Sequence, residues 1–240
     1  MRKGRKAELK TEILFEDAAV AVCLKPAGVV SQSTAGGEDM IAILNGHFAE
    51  NGEKAQAYPV HRLDRETAGI MVYAKTRQAA AALSKQAEQN KIKKRYYAVV
   101  HGSPSEKSGV FKDLLFRDKQ KNKTYVVKRM RKGVREASLE YEVLEENGGL
   151  SLIDVLLHTG RTHQIRVQFS SRKMPLFGDG KYGGGSGRLA LFARSLEFAH
   201  PVSGELLSFS ALPELSVSPW NGFGFFKDEQ DNIPQNNITN

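Results

Sequence analysis

A group of charged side chains precedes an apolar segment in HRLDRETAGI, residues 61–70, and Asp64 lies between Arg62 and Arg65. Burial in a partly closed cleft raises the pKa of a carboxylate, and a neighbouring guanidinium lowers it. A buried aspartate that stays ionised therefore needs an arginine. Arg62, Arg65 or an arginine remote in sequence would each serve. The alternative is that Asp64 makes only a surface ion pair of small energetic value.

A second group of polar residues follows a predicted turn in HTGRTHQIR, residues 158–166. Thr159 and Gly160 give a turn that projects Arg161 and His163 away from the backbone. Arg161 and Arg166 are five residues apart, with a histidine and a glutamine between them. These side-chain types suit contacts to phosphates and base edges.

Other kinds of site are less favoured by the spacing. No serine lies in a G-x-S-x-G elbow, and KYGGGSG lacks the lysine-serine ending of a phosphate-binding loop. Cys23 lies in the apolar run AVAVCLKP, where a buried inert thiol is predicted. A metal site is disfavoured because the candidate ligands match no zinc spacing; they are His61, Asp64, His158, His163 and His200.

Asp64 and Glu66 are one possible pair of glycosidase carboxylates. If both residues lie in one strand, their α-carbons are about 6 to 7 Å apart. This separation is compatible with a pair of catalytic carboxylates in a glycosidase. A neutral sugar, however, would not need a basic protein surface. An enzyme that breaks a glycosidic bond within a nucleic acid would account for both features.

The charge balance favours a polyanionic partner. The 240 residues carry a formal net charge of +8, which makes nucleic acid the leading candidate. Residues 116–135 contain one acid, Asp118, and many basic residues, among them Lys128 and Arg129. No apolar run approaches the roughly 20 residues of a membrane span, and no signal-peptide pattern is present. We therefore expect a cytoplasmic protein without a membrane partner.

The apolar periodicity predicts many strands and few helices, in one α+β domain. Helices are predicted over residues 39–47 and 77–89, the second capped by Thr76. The type of RTHQIRVQFSSRK stays open, because its apolar positions suit a strand or a helix face. Predicted strands are a pair around the Glu16-Asp17 turn, TAGIMVYAKT, KRYYAVVHG, TYVVK, REASLEYEVLEEN, LSLIDVLLHTG and a pair around residues 201–204. We expect a basic arm over residues 1–10, a domain over 11–226 and a polar, disordered tail over 227–240.

Several of these segments together resemble the RluA-type family of RNA pseudouridine synthases. HRLDRETAGI is similar to its HRLD-x-x-T-S-G segment, KRYYAVVHG to its K-x-Y-x-A strand, and LHTGRTHQIRVQF to its TGR-x-HQIR segment. PLFGDGKYG and HPVSGE resemble its GD-x-x-YG and HP-x-x-G-E elements, and ILFEDAAVAVCLKPAGVV its opening strand pair. The resemblance covers residues 12–213. Ala68, Gln168 and the Ser31-Gln32 pair depart from the usual family residues and bear on subfamily and substrate.

The resemblance implies the pseudouridine synthase fold, a mixed and largely antiparallel sheet with flanking helices and an RNA-binding cleft. It also implies isomerisation of uridine to pseudouridine in ribosomal or transfer RNA, with no cofactor, no metal and no obligate protein partner. By resemblance Asp64 is the catalytic nucleophile, Tyr96 stacks on the base and Arg161 pairs with Asp64. We expect RNA contacts from Arg62, Arg65, His163, Arg166, Lys128 and Arg129. The competing hypothesis is a non-catalytic RNA-binding protein on the same fold.

Overall fold

The computed structural model describes residues 11–32 and 39–232. The expected basic arm and the last eight residues of the expected tail lie outside this part of the chain. The strands are β1 (Glu12–Glu16), β2 (Val20–Lys25), β3 (Tyr58–Pro59), β4 (Ala68–Ala74), β5 (Lys93–His101), β6 (Ser108–Asp118), β7 (Lys123–Val127), β8 (Val134–Asn147), β9 (Leu150–Leu157), β10 (Leu191–Ala199) and β11 (Leu206–Ser210). The α-helices are α1 (Met40–Glu50), α2 (Arg77–Glu88), α3 (Gln164–Ser170) and α4 (Phe225–Asn232).

All the described strands join one sheet, in the order β1-β2-β4-β10-β5-β9-β8-β6-β7, with β11 paired to β10 and β3 to β4. Every pairing is antiparallel except that of β4 with β10, where Ala68 lies opposite Phe192. The predicted mixed, largely antiparallel sheet is therefore confirmed. β10 comes late in the sequence but lies between β4 and β5, so the middle of the sheet is closed by a strand from the last quarter of the chain.

β4 shows why the sheet must be covered on both faces. Six of its seven residues are buried, so its sequence reads as continuously apolar. Met71 and Tyr73 belong to a core that includes Leu44 and Phe48 of α1, together with Phe169 of α3. Residues of the opposite face, Ile70, Val72 and Ala74, pack with Ala79 and Leu83 of α2. Helices therefore flank the sheet on both sides.

Two helices begin at side chains that cap them, of which only Thr76 was predicted as a cap. Asp39 accepts a hydrogen bond from the Ala42 amide at 2.8 Å and precedes α1. Thr76 accepts one from the Ala79 amide at 3.1 Å and precedes α2, as predicted. In residues 11–32 and 39–232, none of the helices has both the length and the apolar composition that crossing a bilayer requires.

The segment whose type stayed open forms α3. Ile165 and Phe169 are four residues apart and both buried, which is the spacing of one helix face. His163, immediately before α3, has a left-handed backbone with φ 54° and ψ 26°. Such a conformation is uncommon for residues other than glycine, and it turns the chain sharply into the helix.

Two features differ from the sequence-based predictions. β6, eleven residues long, was not predicted: TYVVK was the only strand predicted in the basic stretch. β6 pairs with β7 along one edge and with β8 along the other. Charged residues interrupt the apolar pattern of β6, which hides its period. α4 includes residues 227–232, which were expected in the disordered tail. Phe226 anchors this helix by packing edge-on against Tyr97, with ring centroids 5.2 Å apart.

Candidate active site

A cleft of about 640 Å³ opens where the loop before β4, strand β5 and the start of α3 converge. The side chains that carry its chemistry are Asp64, Tyr96, His163 and Arg166, with Ile165 and Leu191 as apolar lining. These residues are far apart in sequence. The sheet order brings them together, because β4 and β5 are separated only by β10.

The loop that carries Asp64 is held by the turn after β2. The Arg65 carbonyl accepts hydrogen bonds from the Gly28 amide at 2.8 Å and from Lys25 Nζ at 3.1 Å. Lys25 also donates to the carbonyls of Pro26 and Val29, and it is 1% exposed. The Thr67 amide donates to the Asp64 carbonyl at 3.1 Å and closes the turn. The backbone around Asp64 is therefore fixed before any substrate binds.

Arg166 is the guanidinium that meets Asp64. Its Nη1 lies 3.1 Å from Asp64 Oδ2, while its Nε and Nη2 each lie 2.7 Å from one oxygen of Asp179. The Arg166 side chain is 7% exposed and that of Asp179 is fully buried. Burial by itself lowers the pKa of Arg166, but the hydrogen bonds and charge of Asp179, with the charge of Asp64, raise this pKa above its usual value. Arg166 therefore stays charged between two carboxylates.

The expected pairing of Arg161 with Asp64 is corrected by this geometry. Arg161 is exposed, and its Nε donates to the Glu136 carbonyl at 3.0 Å. Its amide donates to Gln164 Oε1, which fixes the turn before α3. Because Arg161 lies in this turn, its side chain runs along the rim of the cleft. Arg166 lies inside the helix, on a side that faces Asp64.

Tyr96 forms part of the cleft wall. It lies on β5 between Val155 of β9 and Ala193 of β10 and is 6% exposed. Burial, reinforced by the negative charge of Asp64, raises the pKa of Tyr96 above its ordinary value. Its phenol therefore stays neutral at physiological pH.

His163 is held beside Asp64 by a chain of hydrogen bonds. The Thr124 amide donates to Tyr182 Oη at 2.8 Å, and Tyr182 Oη lies 2.9 Å from His163 Nδ1. The Tyr182 hydroxyl thus links the backbone of β7 to the His163 ring. His163 Nε2 lies 3.9 Å from Asp64 Oδ2. Burial lowers the pKa of His163 although Asp64 opposes this effect.

The remaining predicted RNA contacts divide by exposure. Arg62, Arg65, Lys128 and Arg129 are exposed, and no side-chain hydrogen bond or ion pair engages them within the described residues. Arg166, in contrast, is buried and pairs with Asp64 and Asp179; that it also contacts RNA stays a prediction. Thr124 Oγ1 of β7 donates to the Thr162 carbonyl at 2.9 Å. β7, which lies within the basic stretch of residues 116–135, is thereby attached to the rim of the cleft.

Three residues of the site had no role in the sequence-based reasoning: Lys25, Asp179 and Tyr182. Arg166 lies over the Tyr182 ring, 5.3 Å from its centroid, so Asp179 and Tyr182 together fix the guanidinium. The sequence signal for Asp179 and Tyr182 is that PLFGDGKYG is similar to a family segment, and Lys25 lies in the similar segment ILFEDAAVAVCLKPAGVV; a motif match assigns no contact. The side-chain contacts themselves come from long-range packing.

A sequence profile described as RNA pseudouridylate synthase matches residues 19–171, which include Asp64, Tyr96 and Arg166. The chain belongs to the RNA pseudouridylate synthase family. The predicted resemblance is thereby confirmed.

Relatives of this RNA pseudouridylate synthase family member agree with the profile. The chain is 36% identical over 203 residues to "Uncharacterized RNA pseudouridine synthase YhcT" of Bacillus subtilis (strain 168), with 82% of this chain and 66% of that protein covered. It is 36% identical over 222 residues to "Ribosomal large subunit pseudouridine synthase D" of Zymomonas mobilis, with 85% and 69% covered. The chain thus spans about two thirds of the length of these relatives.

Solved structures in this family show the same fold. "Human RNA Pseudouridylate Synthase Domain Containing 4" superposes with a TM-score of 0.72 at 24% identity, covering 85% of this chain and 89% of that chain. "Human RNA Pseudouridylate Synthase Domain Containing 1" superposes with a TM-score of 0.73 at 20% identity, covering 92% and 90%. The predicted fold class is confirmed by these neighbours.

Proposed function

We propose that this protein isomerises uridine in RNA to pseudouridine. The observation that carries the proposal is Asp64, a carboxylate held by Arg166 at 3.1 Å in a cleft beside the neutral phenol of Tyr96. In the net reaction the bond between ribose C1′ and N1 of the base breaks and a bond between C1′ and C5 forms. The hydrogen on C5 is replaced by one on N1, so no group is gained or lost.

Asp64 is the proposed nucleophile. Arg166 places a positive charge beside it, but Asp179 takes two of the guanidinium hydrogen bonds and leaves Asp64 a single one. Asp64 therefore shares the guanidinium with a second carboxylate and keeps acceptor capacity for attack on the ribose or on the uracil ring.

Tyr96 is the proposed stacking partner of the extruded base. A base must leave its stack to enter such a cleft, at a cost of a few kcal/mol, and an aromatic face recovers about 1 to 3 kcal/mol per stacked base. Apolar Ile165 and Leu191 line the same cleft and favour a flat ring. Arg161, on the rim, is reassigned from partner of Asp64 to RNA contact.

The substrate is proposed to be ribosomal or transfer RNA in the cytoplasm, with residues 11–226 as the catalytic domain. One relative is named for the large ribosomal subunit, which makes ribosomal RNA the first candidate. The charge of +8 and the exposed Arg62, Arg65, Lys128 and Arg129 support binding to a polyanion. We propose no obligate protein partner.

The test is pseudouridine mapping by carbodiimide labelling of cellular RNA. A strain lacking the gene would receive the wild-type chain, Asp64→Ala or Glu66→Gln. We expect the wild type and Glu66→Gln to restore the same site, since Glu66 is exposed and makes no contact with Arg166. Asp64→Ala should restore none while keeping RNA affinity within about tenfold of wild type.

The second candidate, a non-catalytic RNA-binding protein, predicts the same RNA map for all three chains. The basic surface alone favours it. If Asp64→Ala restored a full signal, the nucleophile assignment would be wrong. Free uracil and abasic RNA as products would instead indicate a hydrolytic glycosidase.

A further inference from the structure

Lys94 presents an ammonium group without a partner in the same cleft. It lies on β5 and lines the cleft wall. Within residues 11–32 and 39–232, Lys94 Nζ makes no hydrogen bond and no ion pair. Burial lowers the pKa of Lys94, and no carboxylate of this part of the chain offsets the effect.

Two lysines that are more deeply buried than the half-buried Lys94 have partners within the protein. Lys25 donates to three carbonyl oxygens, those of Pro26, Val29 and Arg65. Lys75 is 2% exposed and pairs with Glu16 at 2.7 Å and Glu53 at 2.5 Å. A buried charge is costly unless it is paired. The contrast indicates that the partner of Lys94 comes from outside the protein.

Lys94 lies close to the part of the cleft in which the extruded base is proposed to stack. Lys94 and Tyr96 are two residues apart on β5, so their side chains leave the same face about 6 to 7 Å apart. A Cβ added to Gly160 would lie 3.5 Å from Lys94 Nζ, so the ammonium lies beside the turn that carries Arg161. Its charge also lowers the pKa of His61, which lines the same cleft. Lys94 thus lies beside the turn, on the side of the cleft that His61 also lines.

We propose that Lys94 binds a phosphate diester of the RNA backbone next to the extruded uridine. The inference rests on the proposed function and extends it to a phosphate subsite. A base that stacks on Tyr96 would direct its sugar and phosphate along the strand, toward Lys94. Of the Arg161 side-chain nitrogens, only Nε donates a hydrogen bond within the described part of the chain, so the terminal nitrogens, across Gly160, are available to the same backbone. A phosphate supplies the negative charge and the acceptor oxygens that Lys94 lacks.

The experiment uses the full chain with Lys94→Met, Lys94→Arg and, as matched control, Lys93→Met. Lys93 is the preceding residue, 65% exposed, and pairs with Glu197 on the other face of β5. The probe is a short oligouridylate, and affinity is measured over a series of salt concentrations. Loss of one phosphate contact should reduce the slope of log affinity against log salt by about 0.7. Affinity should fall about tenfold in Lys94→Met, and Lys94→Arg should retain most of it.

A thermal melt separates this role from a structural one. Lys94→Met removes an unpaired, half-buried charge, so the melting temperature should stay the same or rise while RNA affinity falls. A lower melting temperature with unchanged affinity would mean that Lys94 is structural and would overturn the proposal. Equal losses of affinity in Lys94→Met and Lys93→Met would also overturn it, because they indicate general electrostatic attraction.

Different experimental results would contradict the proposed phosphate subsite and the proposed function. If wild type produces no pseudouridine but its salt slope depends on Lys94, the enzymatic proposal is wrong and the phosphate subsite stands. If pseudouridine forms and Lys94→Met has the affinity, salt slope and KM of wild type, the subsite is wrong and the enzymatic proposal stands.

Discussion

Asp64 and Arg166 are 102 residues apart in sequence, and their side chains meet at 3.1 Å. The contact depends on the loop before β4 and on the helix after β9. Asp179 holds the other side of the guanidinium with two hydrogen bonds of 2.7 Å. The orientation of Arg166 is thus set by a fully buried carboxylate that does not line the cleft.

Substitution of the two candidate arginines should separate their roles. Arg166→Lys cannot contact both carboxylates in the same geometry, and kcat should fall on the order of 100-fold, the size typical of losing one preorganised electrostatic contact. Arg161→Lys should change kcat by less than about threefold and raise KM. Single-turnover rates on the mapped RNA measure both. The reverse ranking would restore Arg161 as the partner of Asp64.

Asp179→Asn tests the carboxylate behind Arg166. It leaves a buried guanidinium with a weaker partner, so the free energy of unfolding should fall by about 3 kcal/mol. Asp113→Asn is the matched control, because Asp113 pairs with Arg172, whose side chain is 30% exposed. We expect a loss of at most about 1 kcal/mol there. Urea denaturation measures both, and equal losses would contradict a special role for Asp179.

His61 should make the protein less stable in acid. Burial, with the charge of Lys94, lowers the pKa of His61 to about 3, and its ordinary value is 6.5. The unfolded chain therefore binds a proton at His61 that the folded chain does not, and stability falls as pH decreases from about 6.5 toward 3.

The measurement is the free energy of unfolding of wild type and His61→Gln over that pH range. The difference between the two should shrink as pH falls, because only wild type loses the contribution of a neutral histidine. If the difference in unfolding free energy between wild type and His61→Gln is constant with pH, His61 titrates alike in the folded and unfolded chains.

Gly69 should not tolerate a side chain. Its φ is 123°, and an added Cβ would lie 2.3 Å from the Ala193 carbonyl oxygen of β10. Gly69→Ala should lower the free energy of unfolding by at least about 2 kcal/mol. Gly46 in α1 has no atom within 4 Å of an added Cβ, so Gly46→Ala should raise stability by about 0.5 to 1 kcal/mol. Thermal melts compare the two, and an equal effect would contradict this account.

Much of the fold was predictable because its signals are local. Thr76 caps α2, alternating apolar residues mark β8, and continuous runs of buried residues mark β5 and β9. β6 was missed because Lys112 and Asp113 interrupt its apolar pattern and its pairing partners come later in the chain. The beginning of α4 was missed because its anchor is the contact of Phe226 with Tyr97, more than a hundred residues earlier.

The sequence predicted which residues form the candidate site better than it predicted which of their side chains contact each other. Asp64 and Tyr96 line one cleft, as the family resemblance implied. Which arginine faces Asp64 depended on whether residues 164–170 form a helix, and the apolar spacing left that open. Once α3 forms, Arg166 faces the cleft and Arg161 remains in the preceding turn.

The central position of β10 determines when the sheet that carries the candidate site can close during synthesis. β4, which follows Asp64, and β5, which carries Tyr96, are joined by β10, residues 191–199. A nascent chain in which β10 has not yet left the ribosome cannot make this connection. Pairing over such sequence distances is slow compared with local folding. The candidate site is therefore completed in a step that waits for β10, later than the local folding of the helices.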